Sequence, residues 1–127
     1  MSYAIFNRSA FPLIVVSFTG ENETPDNFKE YLNGLLKNYE AKKPFSLVFD
    51  ATKASIPNIK YQKLQAMWMK EHDSLVKEYC RCVAYVVPSV LLRGVLKTIF
   101  RLQKNPVPFK VFSNLDDAKN WAREAID

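Results

Sequence analysis

The chain has 127 residues, of which 48% are hydrophobic and 24% charged, with a net charge of +5. That size and balance describe one globular domain with a real core and exclude disordered and fibrous classes. No stretch reaches the roughly 18 apolar residues of a membrane span. The opening MSYAIFNRSAFPLIVV lacks the order of a signal peptide, so a cytoplasmic location is expected.

Two short runs rich in β-formers come first, Tyr3 to Asn7 and Leu13 to Phe18, joined through Arg8, Ser9 and Ala10 as in a hairpin. Thr24-Pro25-Asp26 starts a helix: a hydroxyl N-cap, proline at the first helical position, and an acid at the positive end of the dipole. Phe28, Tyr31, Leu32, Leu35, Leu36 and Tyr39 follow at helical spacing. Phe45 to Asp50 reads as a buried strand that closes on an acid. After Pro57 one long helix is expected from about Asn58 to about Tyr79. Its apolar arc holds Tyr61, Leu64, Trp68, His72, Leu75 and Tyr79, with Lys63, Lys70 and Lys77 opposite. A strand from Cys82 to Val87 leads through Pro88-Ser89 into a helix over 90–104, which Asn105-Pro-Val-Pro108 ends. Phe109 to Phe112 is the last strand, and Ser113-Asn114 caps a final helix that packs through Leu115, Ala118, Trp121, Ala122 and Ile126.

The order β-β-α-β-α-β-α-β-α predicts a single α/β domain with four helices and a mainly parallel five-stranded sheet, its first strand antiparallel at an edge. Ligands of such sheets meet the loops at the carboxyl ends of the strands. Here those loops hold Thr19 to Asn22, Asp50 to Lys53, Pro88-Ser89 and Ser113-Asn114.

Little in the chain suggests catalysis. His72 is the single histidine and lies on an apolar stripe, where it reads as a core cap with one nitrogen satisfied. Asp50 is the best-placed carboxylate, yet an acid at a strand end commonly caps its own loop. Three glycines in isolation make no phosphate cradle, and no nucleophile elbow or metal-ligand spacing occurs, so neither a cofactor nor an enzyme is expected. Cys80 and Cys82 read as reduced, partly buried thiols. Tyr61, Trp68, Tyr79 and Trp121 fall at core spacing, which argues against base stacking and specific nucleic-acid binding.

The charge distribution is more informative. Between Tyr79 and Leu115 there is no acid, while Arg81, Arg93, Lys97, Arg101, Lys104 and Lys110 all fall there. Taking those six from eighteen basic residues leaves twelve against thirteen acids elsewhere. At about 100° per residue, Arg93, Lys97, Arg101 and Lys104 share about 80° of one helix face. Leu91, Leu92, Val95, Leu96, Ile99 and Leu102 occupy the other side, from about 160° to about 300°. A solvated face on a packing helix accounts for such a stripe. So does a surface for an anionic partner, because no acid at i±4 offsets the mutual repulsion.

The stretches FSLVFDAT (Phe45 to Thr52), RCVAYVVPS (Arg81 to Ser89) and PFKVFSNLDDAKNWA (Pro108 to Ala122) resemble the STAS-like superfamily, the fold of bacterial anti-sigma-factor antagonists, in its SpoIIAA-like branch. The resemblance spans nearly the whole chain and implies a regulatory or binding module. One departure matters: the family's switch serine, at the start of the helix after the Asp-containing strand, is missing. Ile56-Pro57-Asn58-Ile59-Lys60 stands there, and only Asp50 and Thr52 match the preceding strand end.

The expected function is therefore a non-catalytic module that binds an acidic protein or another anionic partner and is compatible with a homodimer. Its candidate contacts are Arg93, Lys97, Arg101, Lys104, Asp50, Thr52 and Ser89. The alternative is a lipid- or membrane-surface-binding protein, peripheral at the membrane, with helix 90–104 as a lid over an apolar pocket. A small enzyme using Asp50, and nucleic-acid binding by charge alone, rank behind these.

Overall fold

Five strands pair in their chain order. In the computed structural model, which describes residues 1–126, β1 (Ala4–Asn7) lies at one edge, antiparallel to β2 (Leu13–Phe18). Then β3 (Phe45–Asp50), β4 (Cys80–Val86) and β5 (Phe109–Phe112) follow in parallel register. The hairpin, the antiparallel edge strand and the parallel remainder match the sequence reading.

Because the strand order never reverses, right-handed crossovers place every connecting helix on the same side of the sheet. Helices α1 (Pro25–Lys37), α2 (Ile59–Glu71), α3 (Asp73–Tyr79) and α4 (Val90–Leu102) all contribute to the cluster on that side, with Phe28, Leu35, Leu64, Val76 and Leu92. The chain crosses to the opposite face only after β5, where α5 (Leu115–Glu124) lays Ala118 and Ala122 on Leu13, Val15, Val48 and Ala84.

There are five helices where four were expected. The predicted helix 58–79 is two, because His72 leaves helical geometry at φ −108, ψ 19. Length explains the break: a straight helix of that size would extend about 30 Å, whereas a six-residue strand covers about 20 Å. The break lets α2 match the sheet and α3 turn back beneath it to bury Val76. Other limits shift by a residue or two. β4 begins at Cys80, α1 stops before Tyr39, and α4 stops at Leu102, which leaves Lys104 in the Pro106-terminated exit.

A register shift between Phe45 and Leu47 on the β3–β4 ladder puts Cys80 in one core cluster and Cys82 in the other. Both thiols are fully buried and free, more deeply than the sequence suggested.

Gly20 shows why the first strand-end loop needs glycine. Its φ is +91, and a Cβ there would sit 2.8 Å from the carbonyl oxygen of Lys53 in the neighbouring loop. Gly20→Ala should cost about 1–3 kcal/mol. Urea unfolding would show this as a lower midpoint at unchanged slope, and an unchanged midpoint would refute it.

Candidate functional site

The two faces of the sheet are built differently, and the difference creates the site. On the α5 side the facing side chains are mostly small or β-branched (Val15, Val48, Cys82, Ala84 and Val86), and α5 packs directly on the strands. On the other side, Phe18, Phe49 and Tyr85 stand near the carboxyl ends of β2, β3 and β4. Their rings stack across the strands, with centroids 6.0 Å apart for Phe18–Phe49 and 5.5 Å for Phe49–Tyr85. This aromatic ladder spaces the backbones of α2 and α4 from the sheet. The helices pack on one another through Ala66, Met69, Val95 and Ile99, and Phe100 of α4 rests edge-to-face on Tyr85 at 5.7 Å.

Between the ladder and the helix pair lies an apolar cavity of about 100 Å³. The ladder forms its floor, and Leu92, Leu96 and Ile99 of α4 form its roof. Ala54, Ser55 and Pro57, half-exposed in the β3–α2 connection, line it at the carboxyl end of the sheet. A second cavity of about 50 Å³ shares Phe49, Gln65, Met69 and Tyr85 with the first. The polar groups in these walls are partly satisfied within the protein: Tyr31 Oη donates to Gln65 Oε1 at 2.8 Å, and Asn105 Nδ2 donates to Tyr85 Oη at 2.9 Å. Burial pushes the Tyr31 and Tyr85 phenols above their ordinary values.

The outer side of α4 carries the expected cations. Arg93, Lys97, Arg101 and Lys104 are all exposed, and among the described residues none lies within ion-pairing distance of a carboxylate. Arg93 differs from the rest, because its Nε donates to the Val87 carbonyl at 2.9 Å and an Nη reaches Ser113 Oγ at 3.4 Å. It ties α4 to the ends of β4 and β5. Lys97 and Arg101 on the helix and Lys104 just beyond it remain exposed without an ion-pair partner among the described residues.

Part of the apolar face differs from expectation. Leu91 and Leu102 were placed inward by the helical wheel but are 69% and 50% exposed, and Val90 is 82% exposed. Because α4 stands off the sheet on a partner helix, its buried arc is narrower than full docking would give. The three apolar side chains therefore flank the cationic ridge.

The remaining candidates serve their own loops. Asp50 Oδ1 accepts from the Thr52 backbone N–H at 3.0 Å and from the Thr52 hydroxyl, an Asx turn that closes β3. Ser89 caps α4, its Oγ accepting from the Leu92 N–H at 3.4 Å. His72 lies against Trp68 with ring centroids 4.7 Å apart and the planes tilted by 50°, and its Nε2 is 4.0 Å from the Glu71 carboxylate. Tyr61, Trp68, Tyr79 and Trp121 are half-buried against the core clusters, in line with their spacing. Among the described residues no three His, Cys, Asp or Glu side chains gather into a metal-binding group, and no helix is long and apolar enough to cross a membrane.

The polar side of α2, where the sequence places Lys63 and Lys70, adds to the α4 surface. Lys60, Lys63 and Lys70 are exposed along α2, together with Ile59 and Met67. Since α2 and α4 pack side by side in one layer, these lysines extend the α4 ridge into a broader cationic surface. Both helices start at the carboxyl end of the sheet, which gathers the exposed Ile56, Ile59, Val90 and Leu91 at that end.

No protein family, curated protein or solved structure matches the chain.

Proposed function

We propose that the protein is a non-catalytic binding module of STAS-like type whose α2–α4 face engages the anionic surface of a lipid bilayer. The observation that carries this reading is the composition of that face. Seven exposed basic side chains on and just beyond two adjacent helices share it with protruding Ile59, Met67, Val90, Leu91 and Leu102. An interfacial helix needs both elements, cations for the headgroups and apolar side chains that enter the acyl boundary. An acidic protein surface is the competing partner. It would use the cations alone, and the apolar protrusions at the sheet's carboxyl end favour the bilayer.

Each basic residue near an anionic membrane contributes about 1 kcal/mol, so the face gives reversible, salt-sensitive adhesion. Co-sedimentation with phosphatidylcholine vesicles, with and without phosphatidylserine, tests it. Binding should require the anionic lipid and should fall sharply from about 0.1 M to about 1 M salt, as the screening length shrinks to about 3 Å. Lys97→Glu/Arg101→Glu should weaken it at least about 30-fold, since two favourable charges become repulsive. These two residues serve better than Arg93, whose replacement would also free the end of β4. Failure to bind anionic vesicles at low salt would end the membrane reading.

A further inference from the structure

A cavity that crosses from the mouth of the sheet to the underside of α4 is unusual beneath a helix that carries so much exposed apolar surface. The protein keeps its hollow with the ladder of Phe18, Phe49 and Tyr85 when a few larger aliphatic side chains would have closed it. Its size suits a narrow apolar guest. A dry engineered cavity of about 150 Å³ holds a benzene ring, so the larger chamber of about 100 Å³ takes a chain of several carbons. Met69 and Gln65 line both chambers, and a methionine is flexible enough to swing aside and join the second chamber of about 50 Å³ to the first.

The surroundings of the mouth point to the other end of the guest. Lys60 lies with Nζ 5.8 Å from the ring centroid of Tyr61, which itself lines the cavity, and Lys53 is exposed in the adjoining β3–α2 connection. Both lysines stand outside the cavity wall, and the Glu23 carboxylate at the start of α2 is engaged by the Asn58 N–H at 2.8 Å. Among the described residues neither lysine has an ion-pair partner. The exposed Ile56, Ile59, Val90 and Leu91 collect at the same end.

We propose that the cavity under α4 is a binding site for the alkyl chain of a single-chain amphiphile, whose anionic head rests on Lys53 and Lys60 at the carboxyl end of the sheet. This deepens the membrane-surface reading and rests on it for the source of the guest: docking sets the mouth against the headgroup layer, where such amphiphiles reside. The chain enters between the β3–α2 connection and the start of α4, and the head stays in contact with water and the two lysines. Entry needs an outward step by the start of α4, which is held by α2 and by the tether from Arg93 to Val87, while Phe100 near its other end stays on the rings of Tyr85 and Phe109.

The test is a methyl-resolved NMR titration of the full chain with octanoate and with octyl phosphate below their micelle thresholds. Saturable shifts at the cavity-lining methyls, Met69, Leu92, Val95, Leu96 and Ile99 among them, are expected with at least one of the two, and the pair distinguishes a carboxylate from a phosphate head. Octyltrimethylammonium, with the same chain and a cationic head, should bind at least about tenfold more weakly; equal binding would overturn the assignment of the head site. Ala51→Leu places a larger side chain into the chamber from the end of β3 and should weaken binding at least about tenfold, the equivalent of about two buried methylenes. Leu96→Phe plugs it from α4 and serves if the first variant loses its fold. No saturable shift with either anion, or undiminished binding in a folded plugged variant, would overturn the proposal.

The two readings fail separately. Lys97→Glu/Arg101→Glu should abolish vesicle binding and leave octanoate binding intact, whereas the plugged variants should do the reverse.

Discussion

Between about pH 9 and about pH 12 the domain will unfold in one cooperative step, and its tyrosinate absorbance will rise with the loss of helical circular dichroism. Burial holds the Tyr3 phenol up to about 12 and the Cys80 thiol up to about 12, and it raises Tyr31, Tyr39 and Tyr85 as well. Glu23 adds to the rise of Tyr3, the Cys82 thiol to that of Cys80, and Cys80 to those of Tyr39 and Tyr85. The hydrogen bonds from Asn105 on Tyr85 and to the Cys82 backbone on Cys80 offset part of it.

The sign follows from proton counting. An unfolded chain releases these protons near about 8.5 for cysteine and about 10 for tyrosine, while the folded chain retains them. Above that range the unfolded state binds fewer protons, so stability falls as pH rises. The protonated-state contribution is complete below about pH 9 and is lost as the pH climbs through the raised folded values. Each group costs about 1.4 kcal/mol per pH unit. Several groups together exhaust the roughly 5–15 kcal/mol of a small domain before each could titrate in place. Tyr39→Phe should move the midpoint to higher pH, since one of the penalties disappears. Tyrosinate absorbance that grows gradually through about pH 10 while the dichroism stays native would sink the idea.

These same tyrosines show how far the sequence could be read. The α/β class, the hairpin, the mainly parallel sheet and most element limits were legible, because side-chain periods and caps such as Thr24-Pro25 and Asn114 are local signals. The break at His72 was not, since the wheel positions of Tyr61 through Tyr79 stay in phase on either side of it and only the length of the strands demands the kink.

The candidate site divides in the same way. The α4 ridge is visible in 90–104 because its cations recur within one helix. Its extension across Lys60, Lys63 and Lys70 depends on which helix becomes α4's neighbour, a consequence of the strand order. The aromatic ladder had a faint signature: VVSF, LVFD and CVAYV each carry a ring near the strand's carboxyl end. Taken singly, such rings read as ordinary core. Only the register, with Phe49 opposite Tyr85, turns them into a floor that keeps helices at a distance. Leu91 and Leu102 sit at the rim of the apolar arc and near the two ends of α4, and a helix spaced from the strands leaves them exposed.

If the ladder holds one end of this face open, the two ends of β3 should respond to substitution with opposite signs. Phe45 opens the strand at 0% exposure, with its ring edge-to-face on Tyr39 at 5.0 Å and tilted against Phe11 at 6.4 Å, and it lines neither cavity. Phe45→Ala therefore removes a fully packed ring and leaves a void that the neighbouring rings cannot close, at a cost of about 3–5 kcal/mol. Ala51, just past the other end of the strand, is also buried but borders the 100 Å³ chamber. Enlarging it to leucine adds apolar contact in space already empty, where overpacking would otherwise cost about 1–3 kcal/mol. The expected result for Ala51→Leu is stability unchanged or raised by about 0.5–2 kcal/mol, as cavity filling commonly gives. Urea unfolding of both variants, compared at matched slopes, reads the contrast directly. A large loss in Ala51→Leu would mean that the chamber is closed in solution and that α4 lies on the strands after all.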